Sequence, residues 1–464
     1  MIERLTSDSR RAAPGAAFFA WPGESADGRR FIGEAVARGA SAVVWEREDF
    51  SFDASLKVAN VGVENLREKA GVLAHAFYGR PSEALWMCGV TGTNGKTTCS
   101  QWIAAALSQK GEKAAVLGTL GAGFASTLAP LGHTTPDALE LHALLKDFRD
   151  RGASAAAMEV SSHALAQGRV NGVAFDCALF TNLTHDHLDY HGTMAAYGEA
   201  KAKLFDAPGL QTAVVNLDDP FGRELAKRTR ARVVGYSVAG VSEGDFLAGE
   251  RLQDNSIKIT TNSGSVEVPF PHVGGFNLSN ALGVLGCLIA RGIPFAQAAT
   301  LLGKLPPVPG RMQVVGERPM VVVDYAHSPD ALEKVLGALR PVAAARGGKL
   351  VAVFGAGGDR DPAKRPVMGA VASKLADRVV LTSDNPRSED PAAILAMIRA
   401  GTAGEVASEP DRERAIRWAI AAAGAGDVIL LAGKGHENTQ EIAGRKLPFS
   451  DAAVAAAALS ERER

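Results

Sequence analysis

The sequence has few cysteines, few aromatic residues, almost no net charge and no long uncharged apolar run. Its four cysteines, Cys88, Cys99, Cys177 and Cys287, form no Cys-x-x-Cys pair, which argues against a zinc ribbon and suits a reducing compartment. Fifty Lys and Arg residues against 51 Asp and Glu leave a net charge of −1, so bulk charge favours neither nucleic acid nor membrane partners. No run approaches the roughly 18 apolar residues of a spanning helix, and the charged N-terminal segment lacks a signal-peptide core. We therefore expect a cytoplasmic protein without membrane or nucleic-acid partners.

The composition is that of an ordinary globular protein with material for several hydrophobic cores. The chain has 464 residues, 46% apolar and 22% charged. Because a compact domain usually takes about 100–200 residues, we expect about three domains. A Tyr-Gly-Arg-Pro turn at residues 78–81 closes the first region, and the prolines and glycine of residues 305–310 cannot continue a helix or a central strand. The predicted domains are residues 1–84, 85–308 and 309–464.

Strand-like and helix-like segments alternate through most of the chain, which predicts an α/β fold built on mostly parallel sheets. Helices are predicted from Thr97 to about Gln109 and over residues 278–290. Thr135-Pro136-Asp137 predicts a further helix start, with Thr135 as the N-cap. The predicted strands are residues 16–20, 41–45 and 57–61; then 85–90, 113–118, 153–160, 174–180 and 212–216, with an antiparallel addition at 256–260 and 265–269; then 320–324, 349–354, 378–382 and 428–432.

The strongest local signal is a glycine-rich loop between the strand at 85–90 and the helix from Thr97. It reads Val90-Thr91-Gly92-Thr93-Asn94-Gly95-Lys96-Thr97-Thr98. Backbone amides in such a loop favour a polyphosphate, the lysine reaches the outer phosphates, and the following hydroxyl can bind Mg²⁺. The strict P-loop pattern fails, because Val90 stands where the first glycine is required. The alternative is a simple glycine turn with a solvated lysine.

Further ionisable residues follow the next two strands. Glu159 lies at the end of one, and Asp186 and His187 follow the other. Because the carboxyl ends of parallel strands meet at one edge of a sheet, we expect these three near the phosphates held by Lys96. Carboxylates with one imidazole suit Mg²⁺ or Mn²⁺, although a lone histidine can equally be a surface or core residue. Lys201, taken alone, has the spacing of a lysine on a helix surface.

The loop Thr-Gly-Thr-Asn-Gly-Lys-Thr at residues 91–97 resembles the ATP loop of the Mur ligases, which have folylpolyglutamate synthetases as relatives. Other segments resemble that family's motifs in the same order, from about residue 5 to residue 451. The resemblance implies an α/β, three-domain Mur ligase architecture. The N-terminal domain would bind UDP, a central P-loop-type domain with a mostly parallel sheet would bind ATP, and a C-terminal Rossmann-like domain would bind the amino acid.

The resemblance also implies ATP as co-substrate, two Mg²⁺ sites and a CO₂-derived carbamate on Lys201, which lies in the motif Tyr-x-x-x-Lys-x-x-Leu-Phe. The implied catalytic residues are Lys96, Glu159, His187 and Lys201. The implied metal ligands are Thr97, Glu159, His187 and carbamylated Lys201. The implied ATP contacts are Gly92, Thr93, Asn94, Gly95, Lys96, Thr97, Thr98, Asn277, Asn280, Arg311, Asp324 and His327.

Motif for motif, the chain resembles the family member that forms the tripeptide. That enzyme extends UDP-MurNAc-L-Ala-D-Glu, a precursor of bacterial peptidoglycan. The implied contacts to this substrate are Ser7, Ser9, Glu24, Ser25, Ala26, His133, Thr134, Thr135, Ser161, Gln167 and Arg169. His133 departs from the asparagine that many relatives carry at this position.

The segment Ser-Asp-Asn-Pro-Arg at residues 383–387 bears on the amino acid that is added. Relatives that add meso-diaminopimelate carry Asp-Asn-Pro-Arg, and lysine-adding relatives usually lack the arginine. Arg387 can bind the distal carboxylate of diaminopimelate through two hydrogen bonds and would repel a bare ammonium. Taken singly, Asn385-Pro386 would be a turn and Arg387 a solvated charge. The implied diaminopimelate contacts are Arg360, Asp384, Asn385, Pro386, Arg387, Gly433 and Glu437.

The implied reaction is amide ligation by a monomer. ATP would phosphorylate the D-Glu γ-carboxylate, an amine of meso-diaminopimelate would attack the acyl phosphate, and ADP and phosphate would leave. The alternatives are a lysine-adding ligase of the same family, a folylpolyglutamate synthetase, a P-loop nucleotide-sensing module and a UDP-sugar-binding protein. The nucleotide sensor would not need Arg360, Arg387 and Glu437, and the sugar binder leaves the loop at Lys96 unexplained.

Overall fold

The computed structural model describes residues 1–24, 26–124, 127–241, 244–253, 255–404 and 406–462. Three sheets follow one another along the chain, and a small hairpin follows the third. Each large sheet has buried apolar side chains on both faces, so each is the centre of its own layered core. None of the helices in the described ranges is both long enough and apolar enough to cross a membrane.

The N-terminal sheet is fully parallel, with the strand order β1-β2-β3-β4. Adjacent Phe18 and Phe19 on its second strand pack into opposite cores because successive side chains of a strand point to opposite faces. The elements are β1 Arg4–Thr6, β2 Ala16–Ala20, α1 Ile32–Ala37, β3 Ala42–Glu46, β4 Ala59–Val63 and α2 Leu66–Phe77, with short 3₁₀ turns at Ser9–Arg11, Gly28–Phe31 and Pro81–Ala84.

The central sheet has eleven strands in the order β15-β14-β13-β12-β11-β10-β5-β9-β6-β7-β8. The seven strands from β13 to β6 in this order are parallel, and the outer strands at both edges are antiparallel. The strands are β5 Trp86–Thr91, β6 Ala114–Gly118, β7 Gly121–Phe124, β8 Thr127–Ala129, β9 Ala155–Glu159, β10 Cys177–Phe180, β11 Thr212–Asn216, β12 Arg232–Ser237, β13 Phe246–Arg251, β14 Ser256–Thr261 and β15 Gly264–Pro269.

Helices cover both faces of the central sheet, as parallel sheets require. Helix α9, whose sequence is largely apolar, lies against α3 and the strands and is buried along most of its length. The helices are α3 Lys96–Gln109, α4 Ala138–Asp150, α5 Ser162–Ala166, α6 Leu188–His191, α7 Met194–Ala202, α8 Pro220–Arg228, α9 Gly275–Ala290 and α10 Phe295–Leu302.

The C-terminal sheet has six strands in the order β16-β17-β21-β18-β19-β20, and only β16 is antiparallel. Its elements are β16 Gln313–Glu317, β17 Met320–Asp324, α11 Pro329–Ala345, β18 Leu350–Phe354, α12 Lys364–Leu375, β19 Arg378–Leu381, α13 Pro391–Arg399, β20 Val406–Ser408, α14 Arg412–Ala422, β21 Val428–Ala432, the hairpin β22 Thr439–Ile442 and β23 Arg445–Pro448, and α15 Asp451–Arg462.

Most predicted elements are present with shifted ends, but the predicted start of α4 is wrong. Its N-cap is Asp137, whose carboxylate accepts from the backbone N–H groups of Leu139 and Glu140. Thr135 instead donates its hydroxyl to the Glu159 carbonyl at 2.8 Å, a tertiary contact that no local pattern reveals. The antiparallel pair β14–β15 was predicted, whereas two interior strands of the central sheet, β12 and β13, were not. The other strands missed are β1, β7, β8, β16, β20, β22 and β23. The predicted domain limits at residues 84 and 308 stay predictions.

Candidate active site

A cavity of about 760 Å³ opens at the carboxyl edge of the central sheet and takes its lining from distant parts of the chain. Glu24 comes from the N-terminal region, Lys96 and Glu159 from the central sheet, and Arg311 and Tyr325 from the C-terminal region. Sites of parallel α/β folds form at this edge because the loops after the strands converge there.

The glycine-rich loop after β5 leads directly into α3. Gly92 has φ +147°, and a Cβ there would lie 1.9 Å from Thr181 Oγ1, so only glycine fits. Lys96, the first residue of α3, donates its Nζ to the carbonyls of Gly92 and Thr93 at 2.8 and 2.9 Å. Asn182 supports the loop by pairing through its amide with the backbone of Asn94. The result is a preformed loop at a helix N-terminus, which is suited to an anion.

Glu159 lies at the end of β9, beside the loop, and is 1% exposed. Its carboxylate accepts from the Thr97 hydroxyl at 3.0 Å and from the backbone N–H of Thr119 at 2.7 Å. The Thr119 hydroxyl donates to the same group at 3.2 Å. A buried carboxylate beside a hydroxyl is a pair of hard oxygen donors of the kind that Mg²⁺ prefers.

Asp186 and His187 line the same cavity as Glu159. His187 Nε2 lies 3.6 Å from Asp186 Oδ2, and burial lowers the pKa of His187 to about 4. The imidazole is therefore neutral at pH 7 and has a lone pair free for a metal. Within the described ranges, the ligand atoms of Glu159, Asp186 and His187 do not all lie within 4.8 Å of one another. The three residues therefore share the cavity without forming one ligand cluster.

Lys201 lies on α7 and is 1% exposed, so it is not the surface lysine that its spacing alone suggests. Its Nζ donates to the Gly92 carbonyl at 3.0 Å and lies 4.2 Å from the centre of the Tyr197 ring. Burial, with repulsion from Lys96, holds the pKa of Lys201 well below its usual range. No carboxylate pairs with it among the salt bridges of the described residues.

The remaining residues predicted to contact ATP also border the cavity. Arg311 donates to the Thr97 hydroxyl at 3.2 Å and lies 4.5 Å above the Tyr325 ring. Asn280 lies directly against the phosphate loop at Gly95. The approach is so close that a Cβ added at Gly95 would lie 2.5 Å from the Asn280 side-chain oxygen. The other predicted ATP contacts found in the lining are Asn277, Asp324 and His327.

The residues predicted for the UDP-linked substrate divide into two groups. Glu24 accepts from the side chains of Tyr190, Gln167 and Arg67, and so joins the N-terminal and central regions. Seven of the set line the cavity, namely Glu24, His133, Thr134, Thr135, Ser161, Gln167 and Arg169. Outside it, Ser7 donates to Asp137, Ser9 donates to Glu34, and Ala26 is exposed. Ser25 lies outside the described residues.

The residues predicted for diaminopimelate gather at the carboxyl edge of the C-terminal sheet. Arg360 follows β18, residues 384–387 follow β19, and Gly433 and Glu437 follow β21. They do not line the 760 Å³ cavity. Tyr325 lies between the cavity and this second group of residues. It lines the cavity and also packs closely against Gly435, where an added Cβ would lie 2.8 Å from the Tyr325 Cβ.

The centre of this second cluster is a buried hydrogen-bond network. Lys434, which has no exposed surface, donates to Asn385 Oδ1 and Glu437 Oε2, each at 2.9 Å. Asn385 in turn donates to Glu437 Oε2 at 2.8 Å. Arg387 has φ +53° and donates to the Gly358 carbonyl at 2.6 Å, while its Nε lies 3.8 Å from Glu441 Oε2. The side chains are thus held in place by one another before any substrate binds.

Family models match three stretches of the chain. "Mur ligase family, catalytic domain" matches residues 1–78, "Mur ligase middle domain" residues 90–288 and "Mur ligase, glutamate ligase domain" residues 310–435. A UDP-N-acetylmuramoyl-L-alanyl-D-glutamate–2,6-diaminopimelate ligase from Chromobacterium violaceum is 51% identical over 99% of this chain and 94% of its own. The ligase of that name from Pseudomonas aeruginosa is 48% identical over 100% and 96%. The chain belongs to the Mur ligase family.

Solved structures are similar to this Mur ligase over nearly its whole length. A UDP-N-acetylmuramoyl-L-alanyl-D-glutamate–2,6-diaminopimelate ligase, 38% identical, has a TM-score of 0.71 over 100% of this chain and 96% of its own. The MurF ligase from Thermotoga maritima in complex with ADP, 20% identical, has a TM-score of 0.67 over 99% and 96%, a likeness of fold alone. The predicted three-domain Mur ligase fold with a central parallel sheet is confirmed.

Several residues that organise the site of this Mur ligase were absent from the predicted set. Asn182 braces the phosphate loop, Thr119 donates to Glu159, and Lys434 holds Asn385 and Glu437. Asp330, on α11, accepts from the side chains of Asn94 and Thr184 and so joins the C-terminal region to the loop. Asn182, Asp330 and Lys434 lie within four residues of the predicted Asp186, His327 and Glu437, but only the structure shows what they contact.

Proposed function

We propose that this protein joins meso-diaminopimelate to the D-Glu γ-carboxylate of UDP-MurNAc-L-Ala-D-Glu, with ATP as the energy source. The observation that carries the proposal is the identity of about half, over essentially the full length, to ligases named for this reaction. The product would be the tripeptide precursor of bacterial peptidoglycan.

We infer that ATP lies with its phosphates on the loop before α3 and its base toward α9. The Lys96 ammonium and the first backbone N–H groups of α3 would neutralise the transferring phosphoryl group. The Lys96 ammonium donates to two loop carbonyls. A bound phosphate would replace one of these carbonyls as the acceptor, with little movement of the lysine side chain. Arg311, already bonded to Thr97, would reach the nucleotide from the C-terminal region.

The donor set fits the Mg²⁺ that a phosphoryl transfer needs. Thr97 and Glu159 offer a hydroxyl and a carboxylate within hydrogen-bond distance of each other, and His187 offers a neutral imidazole. Mg²⁺ would neutralise phosphate charge when bound. Burial lowers the pKa of Lys201, which favours the neutral amine that reacts with CO₂. Lys201 could therefore become a carbamate and add an anionic ligand.

The UDP-linked dipeptide, whose D-Glu carboxylate accepts the phosphoryl group, would occupy the side of the cavity formed by Ser161, Gln167 and Arg169. Arg169 donates to the Thr135 carbonyl at 2.9 Å and to the Gln167 side chain, which fixes its guanidinium inside the cavity. A fixed guanidinium suits the carboxylates of the dipeptide. Positioning of this carboxylate against the phosphate, rather than acid–base chemistry, would provide most of the catalysis.

The second cluster would select the amino acid. Arg387 and Arg360 would face the distal carboxylate of meso-diaminopimelate, and Glu437 would accept from its distal ammonium. Glu437 Oε2 is already occupied by Lys434 and Asn385, so Oε1 would be the acceptor. L-lysine lacks the distal carboxylate and would leave the arginines unpaired, which disfavours it.

We also propose that the protein acts as a cytoplasmic monomer. The four cysteines are free thiols, as expected in a reducing compartment that contains ATP.

The test is phosphate release by the purified protein with ATP, Mg²⁺ and UDP-MurNAc-L-Ala-D-Glu. We expect release with meso-diaminopimelate and little with L-lysine, and a tripeptide product by mass spectrometry. Phosphate release with L-lysine but not with meso-diaminopimelate would support the ligase reaction and contradict the role of Arg387. Release without any amino acid would contradict the ligase proposal and favour a nucleotide sensor.

A further inference from the structure

Three of the four cysteines meet in the core of the central sheet. Cys88 on β5 and Cys177 on β10 are direct partners in the parallel ladder, and Cys287 on α9 packs over them. The three sulfur atoms lie within 4.8 Å of one another, and all three residues are 0% exposed. Nothing in the proposed reaction uses these thiols.

The number and kind of ligands limit which ion such a group can take. Thiolate sulfur is a soft donor that selects Cu(I), zinc and iron–sulfur clusters, but structural zinc and iron–sulfur sites need four ligands. Cys99, the fourth cysteine, does not join the group, and its Sγ lies 3.8 Å from the Asn280 carbonyl instead. Three sulfurs without a fourth ligand therefore favour Cu(I), which accepts trigonal sulfur coordination.

We propose that Cys88, Cys177 and Cys287 form a three-sulfur binding site for Cu(I) in the core of the central sheet. Binding forms three copper–sulfur bonds and releases to solvent the thiol protons that these bonds displace, and no electron is transferred.

The position of this three-sulfur site connects it to the nucleotide cavity. β5 runs from Cys88 into the phosphate loop, and α9 carries Asn277 and Asn280 at its other end. An ion held by both elements would tie the loop to the helix that borders it. Because the thiols are fully buried, the ion can enter only during local opening of the core, so uptake is expected to be slow.

The test is an anaerobic titration of the full-length protein with Cu(I), in competition with a chromophoric Cu(I) chelator and with a non-thiol reductant. Incubation is lengthened until occupancy is constant. We expect one Cu(I) per chain, and X-ray absorption of the copper-loaded wild type should show three sulfur neighbours. Two sulfur neighbours, or nitrogen and oxygen neighbours, would overturn the proposal without the need for any variant.

The matched variants are Cys287→Ala and Cys99→Ala, which both remove a buried free thiol from the same core. We expect Cys287→Ala to weaken Cu(I) binding by at least about tenfold and Cys99→Ala to leave it unchanged. Circular dichroism of both variants checks that they fold. If wild type and Cys287→Ala bind equally, or if neither competes with the chelator, the thiols merely pack as small apolar groups. ATP-dependent ligation measured without copper tests the proposed function separately.

Discussion

Lys96 and Lys201 donate to the same carbonyl oxygen, that of Gly92, at 2.8 and 3.0 Å. Two ammonium groups on one acceptor in a buried loop repel each other, and burial disfavours both charges. The pKa of Lys201 is accordingly held well below its usual range, first by burial and then by Lys96. A lowered pKa favours the neutral amine, which is the form of a lysine that reacts with CO₂.

This relationship predicts that Lys201→Arg abolishes most of the activity. An arginine can still donate to the Gly92 carbonyl but stays charged and cannot form a carbamate. We expect kcat to fall by about 100-fold or more, the usual cost of losing an electrostatic contact in phosphoryl or acyl transfer. Phosphate release measures it. Lys203→Arg is the control, because Lys203 is exposed two residues further on.

The carbamate itself can be observed by ¹³C NMR of protein equilibrated with ¹³C-bicarbonate. Since only the neutral amine reacts and its fraction grows as pH rises, we expect a carbamate signal that strengthens with pH. The signal should be absent from Lys201→Arg and present in Lys203→Arg. Full activity in the arginine variant would refute the assignment.

Arg387→Met should impair use of meso-diaminopimelate specifically. Loss of a charge-assisted pair costs about 1.5–3 kcal/mol, so we expect KM for diaminopimelate to rise about 10- to 100-fold with KM for ATP unchanged. The ratio of kcat/KM for meso-diaminopimelate to kcat/KM for L-lysine should fall in the same variant. Arg378→Met, an exposed arginine at the opposite end of β19, is the control. An unchanged preference would remove Arg387 from the selectivity argument.

Lys434→Met should act through its neighbours rather than through contact with substrate. Without the buried ammonium, Glu437 Oε2 keeps only the hydrogen bond from Asn385. The side-chain oxygen of Asn385 loses the hydrogen bond that Lys434 donates to it. We expect KM for diaminopimelate to rise while KM for ATP stays constant, and Lys434→Arg to recover part of the loss. The exposed Lys446 on β23 provides Lys446→Met as control. A kcat effect alone, with both KM values unchanged, would contradict a positioning role.

The buried pair Arg412–Asp451 should dominate the stability of the C-terminal domain. Both side chains are 0% exposed and form two hydrogen bonds of 2.7 Å, and Arg412 also donates to the Ser383 and Ala432 carbonyls. Arg412→Met leaves a buried carboxylate unpaired, so we expect a loss of about 3–5 kcal/mol in the free energy of unfolding by urea.

Two variants distinguish this explanation from a general packing effect. Arg412→Met combined with Asp451→Leu removes both charges and should recover much of the loss. Arg417→Met breaks the exposed pairs with Glu413 and Glu461 and should change the urea midpoint little. If the double variant is no more stable than Arg412→Met, the unpaired charge is not the cause.

Much of the fold and part of the site followed from local sequence. The phosphate loop at Lys96 and the strands that carry Glu159 and Asp324 were predicted because glycine spacing and apolar runs are local signals. The start of α4 was not, since Thr135 and Asp137 are both good caps and only the contact between Thr135 and the Glu159 carbonyl decides between them. Edge strands such as β7 and β8 carry short, weak patterns.

The sequence by itself determined the α/β alternation, the phosphate loop and, through family resemblance, the residues at the ends of the strands. Only the tertiary structure decided that Lys201 is buried against the Gly92 carbonyl, 109 residues away, and that Lys434 lies between Asn385 and Glu437. It alone brought Cys88, Cys177 and Cys287 together. The reason is physical: burial and the pairing of strands distant in sequence set the charge state and the neighbours of a side chain, and a local pattern carries neither.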